Sequence, residues 1–399
     1  MRIAISTSVI QRGQTGVAQY VFALVKTLCA HAQDHQFTLF VLEEDLPLFD
    51  FAKAEMEILP VSEKYRSPIK NILWHQLKLP ALIRQHKIEV LHVPSYRRML
   101  WPKPCALVTT IHDLAPFHVV NKYDWKRMLY GRVIAKQLAQ RQDEIIAISE
   151  NTARDLTHYF GLDRENISVI HNGLDAERFN PGAKDAAKIL IAQKHKIIAP
   201  FFLYLARLEH PAKNHVRLIE AFNQFKTETK SAWQLVFGGS DWNGAEVIHK
   251  SIQQSPFANE IHSLGFIPMT ELPTLYRAAD LFVYPSLYEG FGMPPIEAMA
   301  CGCPVISSDR GSLGEVVGDA AAMVDPENVS DLKQQMTTLV ANPGLREKLR
   351  ELGFARSKCF NWKKTADETF QIYYRADQRW RQESSPAVEG WRLTARKPL

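Results

Sequence analysis

A chain of 399 residues, 46% hydrophobic and 23% charged, has the length and balance of a globular protein of two ordinary domains. No run approaches eighteen consecutive apolar residues, which argues against a membrane-spanning helix, and the opening MRIAISTSVIQ lacks the apolar core and cleavage site of a secretory leader, so the cytoplasm is the expected location. The net charge of +5 is uneven: residues 64–141 hold 15 lysines and arginines against 3 acids, and that segment is the candidate for an anionic surface or ligand.

Along the first half, apolar runs of strand length fall at 2–9, 37–42, 88–93, 105–111, 144–148 and 167–170. Helical patterns lie between them at 16–33, 68–86, 124–141 and 150–160. A polar stretch, 179–199, opens on Asn180-Pro181-Gly182 and interrupts the rhythm. A second series follows, with strands at 199–205, 233–238, 260–265, 280–284, 303–307 and 321–324. Its helices are expected at 213–229, 270–278, 294–301, 311–316 and 329–358, with a last one at 362–380. Such alternation predicts α/β architecture: two doubly wound domains, each a parallel sheet covered by helices, with a boundary near 180. Residues 382–399 lack periodicity and are predicted to be a mobile tail. Ligands of open α/β sheets bind beyond the carboxyl ends of strands, so function is sought in the loops that follow them. The five cysteines fit no zinc spacing and read as small buried thiols.

One such loop stands in YEGFGMPPIEAMACGCPV, residues 288–305. The strand 281–284 ends at Pro285, and Pro294-Pro295 suits the first turn of a helix, where a missing amide hydrogen costs little. Gly290 and Gly292 permit positive φ and close approach of a ligand to the backbone. The free amides and helix dipole at 293–296 favour an anion. Glu289 is expected in the loop and Glu297 in the first helical turn. A second loop, LARLEHPAKNH at 205–215, also follows a strand, and its Arg207 and Lys213 offer a planar fork and a point charge, a pair suited to a diphosphate.

These residues carry a resemblance. YEGFGMPPIEAMACGCPVISSD, with ARLEHPAKNHVRLIEAF and VIHNGLDAERFNP, resembles the retaining GT-B glycosyltransferases of family 4, over about residues 1–380. The resemblance implies two Rossmann-like domains facing across a cleft. Residues 1–180, completed by the returning helix 362–380, would bind the acceptor, and 181–361 would bind a nucleotide-sugar donor. By the same resemblance Glu297 holds the ribose hydroxyls, and Glu289 lies near the transferred sugar. The backbone around Gly290, Phe291, Gly292, Met293 and Ile296 holds sugar or diphosphate, and Arg207 and Lys213 neutralise the leaving diphosphate. His112, in Thr110-Ile111-His112-Asp113-Leu114, resembles the family's His-Asp-Leu and is assigned to sugar contact. Gly16, in Gly13-Gln14-Thr15-Gly16, resembles the glycine loop beneath the diphosphate. Ala18-Gln19 stand where many relatives have Gly-Arg.

The implied reaction is transfer of a sugar, mannose from GDP-mannose being favoured over UDP- and dTDP-sugars, to a hydroxyl of a glycan or lipid-linked acceptor in polysaccharide or lipopolysaccharide biosynthesis. No Asp-x-Asp occurs, so no metal and no cofactor are expected. The alternatives are a non-catalytic nucleotide-sugar-binding partner and a sugar-nucleotide epimerase of similar fold. The absence of G-x-G-x-x-G after the first strand argues against an NAD enzyme. Residues 67–79 and 123–130 are amphipathic and rich in cations and aromatics, features of segments that lie on anionic headgroups, so peripheral contact with the inner face of the cytoplasmic membrane is a further expectation. No nucleic-acid partner is expected.

Overall fold

The structure, a computed structural model, describes residues 1–13, 15–118 and 130–383. Most of the amphipathic stretch 123–130, and the tail from residue 384 onward, lie outside the described residues. Among the described residues, contacts divide the chain into two compact units, one taking 1–114, 130–173 and 362–383 and the other 115–118 and 174–361.

The first unit holds a parallel sheet of seven strands: β1 (Arg2–Ser6), β2 (Gln36–Leu42), β3 (Glu57–Val61), β4 (Val90–Val93), β5 (Ala106–Ile111), β6 (Glu144–Ala147) and β7 (Ile167–Val169), in the order β3-β2-β1-β4-β5-β6-β7. Successive residues of a strand point to opposite faces, and both faces here are covered. Ile3, Ile5, Leu39 and Val41 enter one core cluster and Ala4, Phe40 and Leu42 the other, so the strands read as unbroken apolar runs. Strand β3 is the edge, and EILPV escapes sequence reading because it is short, largely unburied and contains Pro60. The helix foreseen at 68–86 is two helices, Pro68–Leu77 and Leu79–Gln85, divided at Lys78 before Pro80.

The helix Trp362–Glu383 belongs to this unit. Its Tyr373 is fully buried and pairs through its hydroxyl with His92 Nδ1 at 2.8 Å, while Thr365 Oγ1 donates to the His171 carbonyl at 2.8 Å. Arg375 and Arg379 both pair with the buried carboxylate of Glu144, at 2.6 and 3.3 Å. The chain returns so close to Gly173 that a Cβ there would stand 2.3 Å from the Trp362 nitrogen.

The second unit holds a parallel sheet of six strands: β8 (Phe201–Leu205), β9 (Gln234–Gly238), β10 (Ile261–Ser263), β11 (Leu281–Tyr284), β12 (Val305–Ser308) and β13 (Ala321–Val324), in the order β10-β9-β8-β11-β12-β13. The chain winds outward one way from β8 to β10, then returns and starts beside β8 again with β11. The carboxyl ends of β8 and β11 therefore mark the switch point where such sheets leave room for a ligand. The polar stretch 179–199, to which no element was assigned, contains the helix Lys184–His195, and a further helix, Ala245–Gln253, was not foreseen. The helix expected over 329–358 breaks at Asn342-Pro343 into Val329–Ala341 and Pro343–Ser357.

Candidate active site

Because β8 and β11 pair side by side, the loops that leave them meet. Asn214 joins them: held in the left-handed region at φ 60, it donates from Nδ2 to the Pro285 carbonyl at 3.0 Å and the Pro326 carbonyl at 2.6 Å. The Leu287 amide donates to the Ala212 carbonyl at 3.0 Å. The sequence supplies a short side-chain amide where a turn must both tolerate positive φ and satisfy two buried carbonyls.

This clamp brings Lys213 to Glu289. Lys213 Nζ donates to Glu289 Oε1 at 2.5 Å, with the two side chains 14% and 15% exposed. The Tyr284 hydroxyl donates to the same oxygen at 2.9 Å, and the Tyr204 hydroxyl ties the Lys213 carbonyl at 2.6 Å. Burial alone would raise the Glu289 carboxyl, but the Lys213 charge and the hydrogen bonds from Lys213, Ser286 and Tyr284 outweigh it and hold the group below its ordinary range. Glu289 is therefore an anion with a fixed orientation. An ammonium has three donors, and the Glu289 bond uses one.

Arg207 does not share this pair. Its side chain is 45% exposed, lies over the Trp242 ring at 4.6 Å, and donates to the buried Glu209 at 3.3 Å. Each of the two cations is thus matched by its own carboxylate, Arg207 within its loop and Lys213 across to the loop after β11. The ring keeps the guanidinium plane in place while leaving donors for a ligand.

Glu297 lies deeper in its helix than expected. The helix is Met293–Ala300 with Pro294-Pro295 in its first turn, so Glu297 falls in the second turn. Tyr276, fully buried, donates its hydroxyl to Glu297 Oε2 at 2.8 Å. Burial pushes the Glu297 carboxyl up to about 7, against the lowering effect of the Tyr276 bond and the Arg178 charge. Gly292 caps this helix at φ 101, where a Cβ would stand 2.4 Å from Leu313 Cδ2. Gly290 and Phe291 are buried in the loop, and Phe291 packs edge-on against Phe360 with ring centroids 5.5 Å apart. Met293 is half-buried, and Ile296 points wholly into the core, so only its backbone is available to a ligand.

Sequence reasoning missed the residues that hold the loop. Ser312 donates from Oγ to the carbonyls of Glu289 and Phe291 at 3.0 and 2.8 Å. Gly311, at φ 62, lets the chain pass where a Cβ would stand 2.6 Å from the Glu289 carbonyl oxygen. Both follow β12, the strand beside β11, and the run SDRGS after a strand was the signal available. Nothing in local spacing marks Tyr276 or Tyr284 as partners of the two acids.

In the first unit, His112 follows β5. Its ring meets Tyr20 edge-on with centroids 4.7 Å apart and donates to the Pro94 carbonyl, while Nε2 is buried with no partner among the described residues. Burial lowers this imidazole to about 4, so it is neutral at pH 7 and Nε2 is an acceptor. Tyr20 is itself fixed by Thr110 Oγ1 at 3.1 Å, which bonds His92 Nε2 at 2.8 Å. Gly16 opens the helix Gly16–Leu28, capped by Thr15, whose side chain accepts from the Ala18 amide at 3.2 Å. A Cβ on Gly16 would meet nothing within 4 Å. Among the described residues no group of three His, Cys, Asp or Glu side chains is placed to hold a metal ion.

With this geometry in hand, comparison with known proteins is direct. The family model for glycosyl transferases group 1 matches residues 188–356, and that for glycosyltransferase family 4 matches residues 14–178. The chain is similar to O-antigen chain mannosyltransferase B of Escherichia coli, 28% identical over 392 residues that cover 94% of this chain and 99% of that one. Among solved structures, sucrose-phosphate synthase of Thermosynechococcus elongatus shares the fold with a TM-score of 0.75 at 21% identity, over 94% of this chain and 98% of that one. HepE of Anabaena, in complex with UDP-glucose, does so with a TM-score of 0.72 at 19% identity, over 93% and 99%. Two family models matched in chain order, one on each unit, and two parallel sheets of this topology show that the protein belongs to the family 4 glycosyltransferases and has the GT-B fold.

Proposed function

We propose that this glycosyltransferase moves a mannosyl residue, with retention of configuration, from GDP-mannose to a hydroxyl of a glycan or lipid-linked acceptor in polysaccharide assembly. The observation that carries the reading is the Lys213–Glu289 pair beside Tyr284, at the point where the sheet order reverses. It offers fixed charge of both signs to a substrate that develops both: a leaving diphosphate and a cationic anomeric carbon. The name of the similar Escherichia coli protein supports mannose and O-antigen, and the UDP-glucose in HepE supports a nucleotide sugar as the donor class.

In this reading the remaining Lys213 donors and the Arg207 fork take the diphosphate. The sugar–oxygen bond to phosphorus breaks at the anomeric carbon, which the acceptor hydroxyl attacks on the same face. The hydroxyl proton passes to the departing diphosphate oxygen. Glu289, held ionised, stabilises the developing cation, and His112 Nε2 accepts from a sugar hydroxyl. Glu297 takes the ribose hydroxyls. Metal independence belongs to the proposal, with Arg207 and Lys213 in the metal's place.

The test is a thermal-shift screen of GDP, UDP, dTDP and their sugars. GDP-mannose at one hundred times its dissociation constant should stabilise the protein by about 2.7 kcal/mol. Turnover with GDP-mannose and an acceptor glycan should persist in EDTA. A response to no nucleotide would overturn the reading, and a response to UDP or dTDP alone would overturn the base.

Affinity should also depend on pH. A carboxyl that takes its proton near 7 in the free protein is a poorer acceptor for two ribose hydroxyls once neutral. Binding of a nucleoside diphosphate should therefore weaken as pH falls, by about tenfold between pH 8 and pH 6. Glu297→Gln should bind weakly at both pH values, with most of this dependence gone. Calorimetric titration of both proteins across that range is the measurement, and parallel profiles would refute the assignment.

A further inference from the structure

The switch-point rule applies to the first unit as well as to the second. Its chain winds outward from β1 to β3, then starts again beside β1 with β4, where Ile5 pairs with His92. The carboxyl ends of β1 and β4 therefore mark a ligand crevice of the first unit's own. A run of buried polar side chains stands there that the proposed transfer does not use. Ser6 Oγ, at the end of β1, donates to His75 Nε2 at 2.8 Å and lies 3.4 Å from Ser8 Oγ. Ser8 Oγ donates to Asn71 Oδ1 at 3.3 Å, and Asn71 Nδ2 donates to the Tyr65 carbonyl at 3.1 Å. His75 Nδ1 donates to the Asn71 carbonyl at 2.8 Å, which fixes the tautomer of the ring. Burial lowers the His75 imidazole to about 3, and the Arg98 charge acts in the same direction, so Ser6, Ser8, Asn71 and His75 are all neutral at pH 7.

Arg98 brings a charge to this neutral run. It closes the short turn Tyr96–Arg98 after β4. Its Nε donates to Asn71 Oδ1, and its Nη1 to the Arg97 carbonyl at 3.3 Å. Both acceptors are neutral, so these bonds orient the guanidinium without cancelling its charge. The loop is fastened to the helix Pro68–Leu77 further along, where Gln76 donates to the Met99 carbonyl at 2.6 Å and accepts from the Trp101 amide at 3.2 Å. The guanidinium is half-buried, not enclosed. At its other end the loop begins beside His112, which donates to the Pro94 carbonyl. Pro94 and Arg98 are four residues apart, so their Cα atoms are separated by about 14 Å at most. A ligand with a sugar at His112 thus has an oriented cationic fork within reach of a substituent. Such a fork matches the oxygens of a phosphate. The surrounding segment, residues 64–141, holds 15 lysines and arginines against 3 acids, a field that favours the more highly charged anion.

We infer that Arg98 binds a phosphate carried by the acceptor, with Asn71, Ser8, Ser6 and His75 as the residues that position it. The acceptor is then a glycan bearing a phosphate or diphosphate, not a neutral saccharide. The inference rests on the proposed transfer to an acceptor hydroxyl and names the class of that acceptor. It does not depend on which nucleotide sugar the second unit takes.

Calorimetric titration with inorganic pyrophosphate reads the site without any sugar. The wild-type protein is expected to bind two equivalents, one lost in Arg98→Ala and the other in Arg207→Ala/Lys213→Ala. Turnover with GDP-mannose then compares three forms of one mannose disaccharide: the methyl glycoside, the 1-phosphate and the polyprenyl diphosphate. KM should be at least about tenfold lower for the phosphorylated forms than for the methyl glycoside, and this ratio should fall toward one in Arg98→Ala. Asn71→Asp, which sets an anion against Arg98, should lower the ratio as well. Lys70→Ala, exposed beside Asn71 on the same helix and outside the polar run, should keep it. Urea midpoints are measured for each variant. Should Arg98→Ala not fold, Arg98→Lys keeps the charge but loses the fork, and the ratio should fall at least about threefold. Equal gains for the 1-phosphate and the polyprenyl form would assign the site to the phosphate itself. A gain confined to the polyprenyl form and abolished by Arg98→Ala would assign it to a lipid-linked diphosphate. Pyrophosphate binding or a KM ratio unchanged in Arg98→Ala would overturn the inference. So would a rise in KM for GDP-mannose in place of the acceptor, which would give Arg98 to the donor. No thermal shift with any nucleotide sugar, with the Arg98-dependent equivalent still present, would count against the proposed donor and leave the acceptor site standing.

Discussion

Lys213→Ala is expected to lower turnover by about 10²–10³, the loss that follows removal of one preorganised group facing developing charge. It should also destabilise the second unit. Deleting one partner of a nearly buried pair leaves the other uncompensated, at a cost of about 3 kcal/mol, the lower end of the range because Lys213 and Glu289 retain some exposure. The sign of the pH dependence is fixed by the direction of the Glu289 shift. In the wild-type protein the carboxyl is held below its ordinary value, so the pair contributes stability above the unfolded value and loses it as pH falls through the folded one. In Lys213→Ala the chief lowering influence is gone and burial raises the carboxyl. The variant should then be most destabilised at pH 8 and approach wild type toward pH 5. Urea unfolding at the two pH values measures this.

A second substitution separates stability from chemistry. In Lys213→Ala/Glu289→Gln no charge is left buried, while the amide can still accept from Tyr284. Stability at pH 8 should recover by roughly 1–2 kcal/mol, with no recovery of turnover. Equal destabilisation of Lys213→Ala at both pH values would show that Glu289 is not held ionised by Lys213.

The two-sheet architecture was legible because parallel strands buried on both faces are unbroken apolar runs, as in LFVY of β11, every residue of which is buried. What escaped was polar or interrupted: β3 at the edge, with Pro60, and the helix Lys184–His195, whose only fully buried residues are Ala187 and Ile191. At the site, the acids and cations stood out because carboxylates and lysines after strands need an explanation. Their partners did not. Tyr276 is 21 residues from Glu297 and meets it only because the helix Leu272–Ala278 packs beside the helix Met293–Ala300. Ser312, Gly311, Glu209 and Trp242 look like ordinary turn or surface residues until the sheet order places their loops together. The pairing of Lys213 with Glu289 rather than with Arg207 was equally invisible, since it depends on Asn214 joining two loops 71 residues apart.

Gly239→Ala should be the most damaging single methyl in the second unit. Gly239 follows β9 at φ +150, a conformation L side chains rarely adopt, and an added Cβ would lie 1.9 Å from the Ala206 carbonyl oxygen. Backbone is the obstacle, and it is pinned on both sides. The Ala206 amide donates to the Gly238 carbonyl at 3.0 Å, and the Gly239 amide to the Gly265 carbonyl at 2.7 Å. Relief requires breaking one of these, for a loss of about 3–5 kcal/mol in urea unfolding. Arg207 is the next residue along the displaced strand end, so donor affinity should fall with stability. Gly16→Ala is the contrast. No neighbour lies within 4 Å of the new methyl, and Gly16 opens a helix without positive φ. Alanine there should leave stability within about 1 kcal/mol of wild type or raise it. If Gly16 is bare to admit the diphosphate, that same methyl should raise KM for the nucleotide sugar. On these expectations one glycine answers to the protein's own backbone and the other to the proposed ligand. Equal stability for Gly239→Ala and wild type would refute the first assignment, and an unchanged KM in Gly16→Ala the second.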